Sequence, residues 1–352
     1  MTDRSFDRDL RNRDLPVRAV RRRDVLRAGA AFVAASTVSL PALAQHATAP
    51  GTNYPNKPIK VLIPFTPGGN TDIIVRLISN MLSERVGQPV LVESKTGGGG
   101  MVAILATTQS PADGYALIAG SPGTHVYNLA LHQNPAVNPM TDLEHITITG
   151  GAPLVLIVNK DLPAANLSEF QALLKREPNR HDFGSAGVGT SAHIAALYLM
   201  KKLGTSAQHV PYRGSASVVS DLLAGRVSFT IDTVSTWVER VKAGQGRALM
   251  VWQEKRVPAM PDTPSATDVG FPELVATSWT PWSAPKGTPK PIVQFLYEHI
   301  DAIMKTETVS NRIKELGSVE TPGMSPERTH AYIMAEGERW LPIIRESGAK
   351  LE

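Results

Sequence analysis

The chain has 352 residues, 42% of them hydrophobic, and a formal net charge of +4 with no cysteine. This excludes disulfides and thiolate chemistry, and the length is sufficient for two lobes of ordinary size. The excess charge belongs to residues 1–27, which hold nine Arg and five Asp, so residues 45–352 balance 27 basic against 27 acidic side chains and give nucleic-acid binding no compositional support.

Residues 1–44 read as an export signal. Arg22-Arg23-Asp24-Val25-Leu26-Arg27 is similar to the twin-arginine motif, with Val25 where Phe is usual and Arg21 where Ser or Thr is usual. An ordinary secretory leader with paired arginines is the alternative. The run 28–44 ends Ala42-Leu43-Ala44, a small-x-small cleavage pattern. It falls short of the roughly 20 strongly apolar residues that span a bilayer.

Strand-like runs then alternate with helical patterns, which predicts α/β lobes with mostly parallel sheets. Residues 59–65 read as a strand, 71–86 as a helix with Ile74, Leu77, Ile78, Met81 and Leu82 on one face, and 89–93 and 116–119 as strands. Further strands are expected at 154–158, 181–185, 209–212, 227–232 and 247–252. Helices are expected at 168–175 with Ser168 as cap, and at 194–203, 218–223 and 235–243. An extended aromatic stretch at 277–285 precedes helices at 292–305 and 326–341.

Two segments repeat one device. Val61 to Asp72 (VLIPFTPGGNTD) and Asp182 to His193 (DFGSAGVGTSAH) each run from a strand through glycines and hydroxyls into a helix, about 115 residues apart. A glycine-rich turn opening a helix leaves backbone N–H groups unpaired, and the helix dipole adds roughly half a positive charge there. The pair suggests a carboxylate held between two lobes. A tight strand-to-helix connection with no ligand is the plainer reading of the first turn, and His193 as a packed or capping residue is the plainer reading at the second. Ser121-Pro122-Gly123-Thr124-His125 follows another strand. Tyr212 and Arg213 are placed to read the far end of a ligand, and Asp232 ends a strand where cleft residues are expected. The run Gly97 to Gly100 follows the wrong strand for a dinucleotide fingerprint. No Gly-Lys phosphate loop, nucleophile elbow or metal-ligand spacing occurs.

Six blocks in order, YPNKPIKVLIPFTPGGNTD, ADGYALIAGSPGTH, GSAGVGTSAH, HVPYRGSASVVSDLLAGRV, FTIDTVST and TSWTPWSAPKGTPKPIV, resemble the tripartite tricarboxylate transporter substrate-binding proteins, the Bug family of extracytoplasmic solute receptors. The resemblance covers nearly all of the chain after the leader. It implies an α/β, type II-like periplasmic binding protein fold with two lobes, a ligand cleft between them and two crossovers. Lobe one would be 45–152 with 281–352, and lobe two 153–280. It further implies a non-enzymatic periplasmic receptor, monomeric and without cofactor or metal, that captures a small organic carboxylate for membrane permease subunits. Sensing for a membrane signalling system, or processing of a carboxylate, are the alternatives. The matching ligand positions are Phe65, Pro67, Gly68, Gly69, Asn70, Thr71, Asp72, Ser121, Thr124, His125, Ser185, Gly187, Gly189, Thr190, Ser191, His193, Tyr212, Arg213 and Asp232. Val188 departs from the family's frequent polar residue, and Asn70 from its frequent Gly or Ser, which leaves the choice of ligand open.

Overall fold

The computed structural model describes residues 48–51, 53–318 and 323–351, so the export signal lies outside the described residues. In chain order come β1 (Ile59–Ile63), α1 (Asn70–Val86), β2 (Val90–Ser94), a 3-10 turn (Gly98–Gly100), α2 (Met101–Thr108), β3 (Ala116–Ala119), a π-helical turn (Gly123–Tyr127), α3 (Asn128–Leu131) and β4 (Leu143–Asn159). Next are α4 (Leu167–Arg176), β5 (Asp182–Ser185), α5 (Ser191–Leu203), β6 (Gln208–Pro211), α6 (Ser215–Leu223), β7 (Phe229–Thr233), α7 (Val234–Lys242) and β8 (Gly246–Val251). The last elements are β9 (Thr277–Pro285), α8 (Lys290–Met304), α9 (Glu307–Glu315) and α10 (Pro326–Ser347).

The strand order is β2-β1-β3-β9-β4-β7-β5-β6, with β8 also on β4. Parallel pairing joins β1 to β2 and β3, and β5 to β6 and β7; each antiparallel pair includes β4 or β9. The expectation of mostly parallel sheets is therefore corrected: half of the pairings are antiparallel, and the strands that pass between lobes make them. β4 pairs with β9 from Leu143 to Pro153, then with β7 and β8 from Leu154 onward. Its register slips between Ile148 and Gly151, beside Gly150 at φ +101. Gly151 is small by necessity, because an added methyl would meet Thr277 Cγ2 at 2.3 Å.

Local chemistry explains most element ends. α1 stops at Gly87 and α5 at Gly204, both left-handed, a conformation glycine adopts without a Cβ penalty. α4 is capped by Asn166 rather than Ser168. The Asn166 side chain accepts from the Glu169 amide, and Glu169 accepts in turn from the Ala165 amide and Asn166 Nδ2, a reciprocal box. α10 runs on through Pro342 to Ser347, beyond the end expected at 341.

Among the described residues, four buried apolar clusters support the sheets, of which two are the largest. One joins β1, α1, α8 and α9 through Ile59, Ile78, Leu82, Phe295 and Ile313. The other gathers Leu156, Phe170, Phe183 and Phe229, but also Tyr127 and Leu131 from the segment after β3, and Ile333, Trp340 and Ile344 from α10. α10 thus packs along both halves. The Trp340 ring lies 5.6 Å from Tyr127 and 5.6 Å from Tyr198, and Glu346 pairs with Lys201. Trp340→Ala is expected to cost about 3–5 kcal/mol, as aromatic truncations in close-packed cores do, read as a lowered urea midpoint with little change in slope.

Candidate functional site

Five turns leave the carboxyl ends of β1, β3, β5, β6 and β7, the edge where open α/β sheets place their ligands. Turns from the two sheets approach one another. A methyl added at Gly214, after β6, would stand 3.5 Å from Thr66 Oγ1, after β1. One added at Gly123 would stand 2.6 Å from the Gly189 carbonyl oxygen. The two glycine turns read from the sequence, and the segment after β3, therefore lie next to one another.

In the first turn Phe65 is half-buried, and Thr66, Pro67, Gly68 and Gly69 are exposed. Gly69 is the N-cap of α1, and no side chain caps it. Helix geometry then leaves the amides of Asn70, Thr71 and Asp72 without intrahelical acceptors, the first intrahelical bond being Ile73 N–H to the Gly69 carbonyl. Asp72 bonds back onto the turn. It is buried, accepts from the Gly68 amide (2.9 Å) through Oδ2, and binds Arg76 Nε (2.7 Å) through Oδ1. These bonds brace the turn, and Arg76 offsets the Asp72 charge.

The second turn is braced from within. Ser185 Oγ donates to the Gly187 carbonyl (3.0 Å), accepts from the Gly187 amide (3.2 Å), and meets His209 Nε2 at 2.7 Å. The Gly189 amide donates to His193 Nδ1 (3.2 Å), so His193 carries its proton on Nε2. Thr190 caps α5 by accepting from the His193 amide, and donates to the Gly187 carbonyl. The Nε2–H of His193 has no hydrogen-bond partner among the described residues, but Ser185, Gly187 and Gly189 keep no donor for a carboxylate at the positions the sequence assigned. Ser191 does: its Oγ is buried without a hydrogen-bond partner, and the Ser191 and Ala192 amides open α5.

The remaining predicted positions divide in the same way. His125 is fully buried, with Nδ1 on Thr124 Oγ1 (3.0 Å) and Nε2 on Ser283 Oγ (3.2 Å), so it has no polar atom for a ligand. Ser121 and Thr124 are also buried, and Ser121 Oγ accepts from the Thr124 amide at 3.4 Å. Tyr212 donates to Asp221 Oδ2 (2.7 Å), and burial, then Asp221, push its phenol up to about 12. Arg213 is exposed, with no ion-pair or hydrogen-bond partner among the described residues. Asp232 is buried; Oδ1 accepts from the Thr233 amide (2.7 Å) and Ser215 Oγ (3.2 Å), and Oδ2 has no partner. Burial raises its pKa to about 6, against the Thr233 amide, the Ser215 hydroxyl, the more distant Trp237 indole and Arg240. Thr66, Gly123, Ser215 and His209 lie within the blocks read from the sequence but are not among the ligand positions assigned there. The only signal for them is adjacency to the glycine turns, and their contacts join segments far apart in the chain.

Two α/β sheets joined by long crossover strands, with turns converging from their carboxyl edges, are the architecture of a two-lobed periplasmic solute-binding protein. The description "Tripartite tricarboxylate transporter family receptor" matches residues 74–349, and the chain belongs to that family. It is 32% identical over 323 residues to protein BugT of Bordetella pertussis, covering 91% of this chain and 96% of that one. The periplasmic binding protein BugD superposes with a TM-score of 0.77 at 28% identity, over 84% of this chain and 99% of that one. MatC of Rhodopseudomonas palustris, solved with bound malate, gives 0.77 at 28% identity over 83% of this chain and 100% of that one. A further R. palustris protein, solved with adipate, gives 0.78 at 31% identity over 84% and 98%. Among the described residues no helix is long and apolar enough to cross a membrane.

Burial, then the charge of His209, lowers the pKa of His193 to about 3; burial lowers His145 to about 4 and His125 well below its ordinary value. A histidine depressed on folding binds its proton more readily unfolded, so its stabilising effect is complete above about pH 6.5 and lost as pH falls toward the folded value. His209, lowered by burial to about 4, is a fourth, and Asp232, raised to about 6, acts in the opposite direction and offsets one of the four. Stability is expected to fall between pH 6.5 and 5, on the order of 1–2 kcal/mol for each uncompensated histidine, read from urea midpoints across that range.

Proposed function

We propose that the receptor captures a small organic carboxylate in the gap between the turns and passes it to membrane subunits of a tripartite tricarboxylate-type transporter. The observation that carries this reading is the uncapped start of α1, whose first amides have no intrahelical acceptors, together with the partnerless Ser191 hydroxyl at the start of α5. A carboxylate on those amides gains charge-assisted hydrogen bonds worth about 1.5–3 kcal/mol each, enough in small number for micromolar affinity. Ser121 adds a hydroxyl from the third turn. Arg213, exposed and unpaired, is placed to meet a second carboxylate, and Asp232 Oδ2 to accept from a hydroxyl or ammonium of the ligand. The malate and adipate of the two R. palustris relatives are both dicarboxylates, so this chain is assigned that class first.

Binding is without turnover. Ser185 and His209 form a close hydroxyl–imidazole pair, but the hydroxyl is buried and donates to a backbone carbonyl, so it braces a turn rather than attacking a substrate. The mature protein begins near residue 45, after export by the twin-arginine or general route, and works as a monomer. Segments 45–152 and 281–352 close on segment 153–280 around the ligand.

Malate or adipate at 100 times its dissociation constant is expected to stabilise the protein by about 2.7 kcal/mol, seen as a rise of several degrees in Tm. Gly69→Val is expected to abolish that rise with the unliganded Tm unchanged, since Gly69 has φ −77 and no atom lies within 4 Å of an added Cβ. Arg213→Ala is expected to weaken dicarboxylates while leaving monocarboxylates unaffected. A Gly69→Val protein that keeps its ligand response would place the site elsewhere.

A further inference from the structure

Beneath the segment after β3 runs a chain of hydrogen bonds that the binding reading does not use. The Ser121 amide donates to Thr124 Oγ1 (2.9 Å), which meets His125 Nδ1 (3.0 Å). His125 Nε2 meets Ser283 Oγ (3.2 Å), Ser283 Oγ meets His145 Nδ1 (2.9 Å), and His145 Nε2 meets the Met140 carbonyl (3.1 Å). Ser283 lies on β9, in register with Ile118 of β3 on one side and His145 of β4 on the other. The chain therefore passes through both crossover strands and ends in the 121–124 segment.

We propose that Ser283, His125 and His145 are positioning residues that form a one-way hydrogen-bond wire, which turns the Thr124 hydroxyl inward and leaves Ser121 as the hydroxyl this segment presents to the cleft. The polarity follows from the ends. A carbonyl only accepts, so His145 must carry its proton on Nε2 and leave Nδ1 bare. Bare Nδ1 takes the single Ser283 proton, so Ser283 can only accept from His125, whose proton is then also on Nε2. His125 Nδ1 is bare in turn and takes the Thr124 proton, leaving Thr124 Oγ1 to accept from the Ser121 amide, which can only donate. Every donor and acceptor in the chain is satisfied with both rings neutral.

Thr124 Oγ1 has one competing acceptor, the Ser121 carbonyl at 3.0 Å. Turning to it would leave His125 Nδ1 bare against a hydroxyl oxygen, unless the wire took up an additional proton. Burial of both rings disfavours that proton, and the His145 ring is further covered by the stacked His330 ring at 5.6 Å. Ser121 Oγ, by contrast, accepts only the long bond from the Thr124 amide and keeps its proton free. The functional consequence rests on the proposed placement of this segment at the cleft; the wire itself does not.

Long-range 1H–15N spectra of the intact protein at neutral pH are expected to show His125 and His145 both protonated at Nε2 and bare at Nδ1. Either ring found protonated at Nδ1, or as a cation, overturns the wire. Amide exchange supplies the second measurement. Ser283→Ala is expected to speed exchange at Ser121 by about tenfold relative to Leu117, Ile118 and Ala119, and Ser283→Thr, which keeps the hydroxyl, to restore it. If Ser121 exchange in Ser283→Ala changes only as much as that of the β3 amides, the positioning role is refuted. Neither readout involves a ligand, so failure here leaves the binding reading intact, and a protein that binds no carboxylate while showing both tautomers refutes that reading alone.

Discussion

The antiparallel ladder between β4 and β9 ties the two sheets together, and the positions of all five turns follow from it. β4 is buried along nearly its whole length because each half of it is the inner strand of a different sheet. β1 and β3 on one side, and β5, β6 and β7 on the other, must then lay their parallel ladders outward from this pair. Their carboxyl ends point to the proposed ligand gap, and residues 66 to 148 positions apart become neighbours. Thr66 beside Gly214, and Gly123 against Gly189, are the closest of these meetings.

The walls of that gap show how a protein holds polar groups ready without a ligand. A buried donor left unpaired costs about 1–3 kcal/mol, so few can be kept in reserve. The first turn avoids the penalty by exposure: residues 66–69 lie open, and water can satisfy the amides at the start of α1. The second turn avoids it by self-pairing, with His193, Thr190 and Ser185 taking up its amides and carbonyls. Buried without a hydrogen-bond partner among the described residues of that half are the Ser191 hydroxyl, one oxygen of Asp232 and the ring nitrogens of His181 (Nε2), Trp237 and Trp252. The two halves are thus chemically unequal although their sequence motifs look alike.

Much of the fold was legible in the chain because its parallel strands are short apolar runs punctuated by glycine. β3 was placed at its observed limits, and α1, α5 and α8 within a few residues. β4 was legible only from 154 onward, since Thr147, Thr149, Gly150, Gly151 and Pro153 break the apolar run, and only pairing with β9 extends the strand through them. The site was legible as a pair of glycine turns. Which of their amides are free was not, since that depends on His193 and Asp72 folding back onto Gly189 and Gly68. Nor could the sequence reveal that His125 faces inward, because its partner Ser283 lies 158 residues away.

Trp340 touches Tyr127 and Tyr198 at once, and these rings belong to segments anchored on different sheets. Parting the sheets means uncovering one flank of the indole, a loss of about 0.5–1.5 kcal/mol per ring contact beyond the apolar area exposed. A side chain on α10 therefore helps to hold the two sheets together. Under the proposed closure of one segment on the other, apparent affinity scales with the fraction competent to bind, so substitutions along α10 would retune it without changing a residue of the turns.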